Sequence, residues 1–411
     1  MPDEYSRRDF LTGVLVCGVV SAAAMYALPG GRSLPQTELK LLSGEDPTGA
    51  RKLLVRAWNE ANPRTTVILY DHIKGQTEDQ LRDLKEAAED GEADILNVDT
   101  IHVRALADKG LIVPVKLDDD EGFHKSLIVP NRLPDGDSEY WAVPFNADVG
   151  MLFERLADGA ADVPTTLVSA LDSVPDGSGL FVGQLDPGGE SQGTPEAFVV
   201  NVLEHALSRN NQILNTDGVL STNHEDWQKA LEPLRGAWAR NRISATTTES
   251  ESLNRFVGEK RFMRNWPVYF RELHKRRDVV DLSRIRVRQL PTGILGGQSL
   301  ALVKNSRYTE QATDVINFLT SEQAQKVLVA YGFASAQVGV YNDSELEVFI
   351  PHLDPIRKAI EEGRPRPASA NYAAFAKVVA RHVRNLLIGG VALPASFTKE
   401  MQDALAAKPD E

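Results

Sequence analysis

The chain has 411 residues, and its 58 acidic and 45 basic side chains give a formal net charge of −13 at pH 7. This acidic balance argues against nucleic acid and anionic lipid surfaces as partners, because both carry negative charge. A chain of this length is too long for one hydrophobic core and predicts two lobes.

The N-terminus has the pattern of an export signal. Arg7 and Arg8 precede an apolar run over residues 11–28, as in twin-arginine signals. The run is only mildly apolar, which favours a signal (residues 1–34) over a membrane span, while cleavage, lipidation and retention as an anchor stay open. Cys17 is the single cysteine, so a disulfide framework is excluded. We expect a protein that is extracellular or on the outer face of the cytoplasmic membrane.

Helical and strand patterns alternate after this segment. Residues 38–42 and 67–70 are predicted strands, and residues 49–62 carry apolar side chains at helical spacing. A second helix is predicted over residues 76–90 and a buried strand over residues 93–97. This alternation predicts an α/β fold with a parallel sheet, in which ligands bind beyond the carboxyl ends of the strands.

Further along, two extended segments indicate a passage between lobes. Residues 141–145 and 151–153 both have strand character, and residues 146–148 join them. We interpret this region as a crossing from the first lobe to the second. Helices are then predicted over residues 194–208 and 225–241, where the tryptophans are expected in the core.

A glycine turn and a strand ending on Trp266-Pro267 occur in the segment Phe256–Pro267. This segment resembles the F-x-x-G-(K)-x-(A/F)-M-x-x-x-W-P signature of family 1 extracellular solute-binding proteins, the substrate receptors of ABC importers. Its Arg264–Pro267 part is most similar to the trehalose/maltose-type members. Weaker resemblances occur in the family's order within residues 38 to about 405, at 57–67, 94–114, 144–152 and 291–302.

The resemblance implies two α/β lobes, each a mostly parallel sheet flanked by helices, with crossing hinge segments and closure on a sugar. The first lobe is expected to comprise residues 38–146 and about 294–340, and the second residues 147–293 and about 341–405. It also implies a monomeric binding protein for a disaccharide or small oligosaccharide. Its partners would be the transmembrane subunits of an ABC permease, and neither cofactor nor metal would be needed.

Sugar chemistry and the resemblance together select the expected ligand-binding residues. Carboxylates and amides bind sugar hydroxyls, and an aromatic ring covers the apolar C–H face of the sugar. The candidates are the aromatic Trp266, the carboxylates Glu45, Asp99 and Asp148, and, from the family comparison, Gly297 and its neighbour Gln298.

The chain departs from related disaccharide binders at two aromatic positions. Gln298 and Val268 stand where those proteins often carry aromatic residues, and Tyr269 comes one place after Val268. Fewer stacking surfaces would suit a smaller or more polar ligand. Two alternatives stay open, a membrane-tethered sugar sensor and a secreted enzyme acting on glycosides, but the sequence has no motif for catalysis or metal binding that would favour the enzyme.

Overall fold

The structure is a computed structural model, and it describes residues 18–21, 24, 36–73, 77–117, 120–133, 138–156, 166–187 and 196–407. Most of the predicted signal, including Cys17, lies outside the described residues. Within those ranges, every helix is too short or too polar to span a lipid bilayer.

The β-strands are listed here in chain order. They are β1 (Thr37–Gly44), β2 (Thr65–Ile73), β3 (Ile95–Asp99), β4 (Ile112–Val113), β5 (Val115–Lys116), β6 (Glu139–Tyr140), β7 (Val143–Val149), β8 (Met151–Arg155), β9 (Phe181–Gly183), β10 (Ile243–Ala245), β11 (Phe262–Asn265), β12 (Ile285–Gln289) and β13 (Leu295–Val303).

The α-helices follow the same chain order. They are Ala50–Ala61, Thr77–Glu89, Val103–Asp108, Lys125–Ile128, Leu167–Asp172, Glu196–Arg209, His224–Ala239, Glu249–Val257, Tyr269–His274, Thr309–Thr320, Glu322–Ala330, Ser344–Phe349, Leu353–Glu362, Tyr372–Ile388 and Phe397–Ala406.

The chain divides into two compact units. Unit 1 contains the residues up to Ala147 together with Gly297–Leu353, and unit 2 contains Asp148–Gly296 together with the residues from Asp354 onward. From the sequence, divisions are expected after residues 146, 293 and about 340. The last division falls later in the structure because the intervening segment is bound to unit 1, where Asp343 pairs with Lys326 at 3.0 Å.

The sheet of unit 1 has the strand order β2-β1-β3-β13-β4, and β7 also pairs with β13. Strands β2, β1 and β3 are parallel, whereas β13 is antiparallel to both β3 and β4. The helix Ala50–Ala61 is fixed against β2, because the indole nitrogen of Trp58 donates to the Thr65 carbonyl at 2.7 Å. Trp58 is itself 1% exposed and belongs to the core.

The sheet of unit 2 has the order β10-β9-β11-β8-β12. Strands β10, β9 and β11 are parallel, and β8 is antiparallel to both β11 and β12. The predicted α/β class is therefore confirmed, and four of the five strands in each of these orders point the same way, with only β13 and β8 reversed. The antiparallel pairs arise at β8 and β13, which continue directly from the segments that connect the units, with no helix to return the chain first.

The tryptophans of the helix His224–Ala239 differ in burial. Trp227 is fully buried, and its ring meets that of Phe397 edge to face with the centroids 5.6 Å apart. Trp238 is partly exposed. The predicted core role is therefore confirmed for Trp227 and only partly for Trp238.

Candidate functional site

In unit 1, two of the predicted carboxylates follow neighbouring strands. Glu45 comes directly after β1 and is exposed, and Asp99 is the last residue of β3. Because β1 and β3 are adjacent and parallel, both residues lie at the carboxyl edge of the sheet. Asp99 also has a structural role there, since its carboxylate accepts a hydrogen bond from the Ile101 amide at 3.2 Å and caps the following turn.

Gln298 stands opposite Asp99 in the β13–β3 pair and is held in a polar network. Its side-chain oxygen accepts a hydrogen bond from Asn97 Nδ2 at 3.1 Å and another from the guanidinium of Arg51. Arg51 is 3% exposed and also donates to Ser43 Oγ at 2.8 Å. The side-chain oxygen of Gln298 is thus engaged within the protein, and the group it can offer to a sugar hydroxyl is the amide nitrogen.

Gly297 is required by the packing of unit 1. Its φ is +123°, and a Cβ at this position would lie 2.2 Å from the Asn146 carbonyl oxygen. Any side chain would therefore force the two backbones apart. The expected contact between Gly297 and a ligand stays a prediction.

In unit 2, Trp266 follows β11 and is partly buried. Its indole nitrogen donates to Glu249 Oε1 at 3.1 Å, and the guanidinium carbon of Arg264 lies 3.9 Å from a ring centroid. Arg264 precedes Trp266 by two residues, and in an extended chain such residues point to the same face. The result is a cation–π stack that restrains the plane of the ring.

Asp148 lies close to Trp266 within unit 2. The position of a Cβ on Gly296 would be 3.4 Å from Asp148 Cβ and 3.6 Å from Cη2 of Trp266. Burial raises the pKa of Tyr269 above its usual value, and the charges of Glu249 and Asp148 add to this effect. The Tyr269 hydroxyl therefore stays protonated at neutral pH, so this region combines an aromatic ring, carboxylate acceptors and a phenol donor.

No protein-family model matches this chain. A probable ABC transporter-binding protein of Deinococcus radiodurans is 27% identical over 179 residues, which amount to 40% of this chain and 42% of that protein. The match therefore spans less than half of the length of this curated relative.

Solved structures match nearly the whole chain. The maltose-bound MalE3 of T. maritima has a TM-score of 0.73 at 20% identity and covers 90% of this chain and 99% of its own. An ABC-transporter solute-binding protein of Thermotoga lettingae, bound to α-D-tagatose, has a TM-score of 0.72 at 17% identity, with 90% and 98% covered. The sugar-binding protein MalE of Xanthomonas citri has a TM-score of 0.72 at 18% identity and the same coverage. The fold is that of the ABC-transporter solute-binding proteins.

Within this solute-binding-protein fold, the structure brings the predicted residues together in two groups. Unit 1 holds Glu45, Asp99, Gly297 and Gln298 near the carboxyl edge of its sheet, and unit 2 holds Asp148 near Trp266. Their contacts with a ligand stay predictions.

Three side chains around these groups were not predicted from the sequence. Arg264 could have been found, because the alternation of a strand places it on the same face as Trp266. Glu249 and Arg51 gave no comparable signal, since each reaches its partner from another element. In the described part of the chain, no group of three or more His, Cys, Asp or Glu residues is arranged to hold a metal ion.

Proposed function

We propose that this protein is the extracytoplasmic substrate-binding component of an ABC importer and that it binds a sugar. The observation that carries the proposal is the group around Trp266, where the aromatic ring donates a hydrogen bond to the carboxylate of Glu249 and lies near Asp148. An aromatic ring and carboxylates are what the apolar face and the hydroxyls of a sugar require. The likeness in fold to proteins described as binding maltose and tagatose supports the same conclusion.

The finer parts of this proposal come from the sequence. We infer a disaccharide or small oligosaccharide as ligand, with Glu45, Asp99 and Gln298 as additional hydroxyl-binding residues. The protein would leave the cell by the twin-arginine route, act as a monomer and deliver its ligand to the transmembrane subunits of a permease. Its role would be binding without catalysis, so that maltose incubated with the protein should be recovered intact.

A thermal-shift screen tests the binding function. The chain from residue 35 onward is heated with maltose, trehalose, tagatose and a set of amino acids as controls. A ligand that binds only the folded state raises the melting temperature. We expect at least one sugar to do so and the amino acids to have no effect. A shift with the amino acids alone would contradict a sugar-binding function.

Substitution of Trp266 tests the site. Loss of aromatic stacking in Trp266→Ala should weaken binding of the sugar found in the screen by about two- to tenfold, measured by titration calorimetry. The matched control is Trp238→Ala, which removes another partly exposed tryptophan of the same unit. Equal affinities in the two variants would show that Trp266 is not part of the site.

A further inference from the structure

We propose that Glu204 and Arg264 are positioning residues that hold the ring of Trp266 in the orientation needed for stacking on a ligand. The inference deepens the proposed function and rests on it, because the ligand concerned is the sugar. Neither Glu204 nor Arg264 is expected to touch that ligand. Their effect would act through the plane of the Trp266 ring.

The pair is geometrically well defined. Arg264 Nε lies 2.5 Å from Glu204 Oε2, and Arg264 Nη2 lies 2.7 Å from Glu204 Oε1. Both side chains are 0% exposed. Two parallel hydrogen bonds fix the rotation of the planar guanidinium, which a single contact would not do. The orientation of the Arg264 plane is therefore set by Glu204.

This fixed plane is the surface on which Trp266 rests. The guanidinium carbon is 3.9 Å from a ring centroid of Trp266, and the indole nitrogen is held separately by Glu249 at 3.1 Å. A ring restrained on its face and at its nitrogen has little freedom to turn. Stacking on such a ring costs a ligand less ordering entropy than stacking on a mobile one.

The Glu204 carboxylate is in turn anchored to the backbone. It accepts a hydrogen bond from the Ile294 amide at 3.1 Å. On another side it approaches Gly150 so closely that a Cβ there would be 2.0 Å from Oε1. The amide of Ile294 and the absence of a side chain at Gly150 therefore fix the position of the Glu204 carboxylate.

A contribution to folding stability does not by itself explain why the ion pair between Glu204 and Arg264 is present. Taking two charges out of water is so costly that apolar residues of similar volume in place of a buried ion pair are often neutral or stabilising. What apolar residues would not supply is a guanidinium plane of fixed orientation. The contribution of the pair is therefore expected in the geometry of Trp266 rather than in folding.

A spectroscopic experiment without ligand tests this orientation. The full chain is labelled with 5-fluorotryptophan, and the fluorine resonance of Trp266 among the five tryptophans is assigned with Trp266→Phe. In the double variant Arg264→Met with Glu204→Met, we expect the Trp266 resonance to shift or broaden. If it keeps its position and width, the proposal is overturned. Arg264→Lys, which retains the charge but not the plane, serves the same test if the double variant does not fold.

A second ion pair of unit 2, with a buried carboxylate and a partly buried guanidinium, provides the matched control. Arg288 lies 2.6 Å from Glu154 on neighbouring strands, with side chains 14% and 2% exposed. The double variant Arg288→Met with Glu154→Met also removes one arginine charge and one glutamate charge. It should leave the Trp266 resonance in place. A shift of equal size in this control would reduce the first result to a general effect of buried charge and would overturn the proposal.

Sugar affinity supplies the functional measurement, with maltose as the probe and the sugars of the thermal-shift panel as substitutes. We expect the Arg264/Glu204 double variant to bind about two- to tenfold more weakly, because stacking is worth that much. In a Trp266→Leu background the same change should alter the affinity by less than about twofold, and a full loss there would contradict an action through Trp266.

A wild-type protein that binds no sugar would overturn the proposed function, while the fluorine spectra would still decide whether the pair orients the ring.

Discussion

Replacement of Gly150 by alanine should destabilise unit 2. The new methyl carbon would lie 2.0 Å from Oε1 and 2.7 Å from Cδ of Glu204, where non-bonded carbon contacts need about 3.5–4 Å. The carboxylate is not a mobile chain end, since it binds Arg264 and the Ile294 amide. Displacing it breaks a buried ion pair, and the loss of such a pair costs about 3–5 kcal/mol. We expect a loss at the lower end of that range if the helix that carries Glu204 yields slightly.

Urea denaturation followed by circular dichroism measures this loss. The urea slope increases with chain length beyond the roughly 1–3 kcal/mol/M of small proteins, so a free-energy loss of about 3 kcal/mol moves the midpoint by about 1 M or less. Gly296→Ala is the matched control, because the nearest atoms to its Cβ are at 3.4 Å and make ordinary contacts. If Gly150→Ala unfolds at the same urea concentration as Gly296→Ala, the steric reasoning is refuted.

Three further predictions concern pH and the backbone. Burial lowers the pKa of His205 from 6.5 to about 3, so the unfolded state binds more protons between these values. The free energy of unfolding should therefore decrease as the pH is lowered through this range, by up to about 1.4 kcal/mol per pH unit. In His205→Leu, the unfolding free energy measured by urea denaturation should depend less on pH. Gly297→Ala should lower the melting temperature more than Gly91→Ala does, because both positions have positive φ but only Gly297 has backbone within 4 Å. Hydrogen bonds, first of all from Ser396, lower the pKa of Glu400 to about 2. A carboxyl-carbon NMR titration should place its midpoint well below 4.5 and find it higher in Ser396→Ala, whereas equal midpoints would contradict this cause.

Local sequence signals predicted the helices and strands of unit 1 well. The helices expected over 49–62 and 76–90 are Ala50–Ala61 and Thr77–Glu89 in the structure. Periodicity and turn residues act over a few positions, so a single sequence contains them. The direction of β13 depends on a partner far along the chain, and no local pattern encodes it. Four of the five strands in each order are parallel as predicted, and the reversal of β13 and β8 was not predicted for this reason.

In the candidate site too, features encoded locally were predicted from the sequence, whereas contacts between distant residues were not. Trp266 was placed at a strand end from its own segment, and the structure puts it there. Its partner Glu249 begins a separate helix, and Glu204 comes from an earlier one. Such contacts are properties of tertiary packing, and the residue types alone do not reveal them. The need for glycine at position 297 also depends on its close approach to the carbonyl of Asn146, and the sequence does not predict that contact.

The position of β13 has a consequence for the order in which the protein can fold. This strand lies between β3 and β4 in unit 1, although the ribosome makes it only after nearly all of the segment Asp148–Gly296 of unit 2. Until then β3 has an open edge, which is a site for wrong pairing and aggregation. Unit 1 is the first to begin, but it is complete only at Leu353, after the segment Asp148–Gly296 of unit 2 has been made. A chain that stops before residue 295 lacks an inner strand of its N-terminal sheet, and a chaperone that protects the nascent protein would need to cover that edge during synthesis.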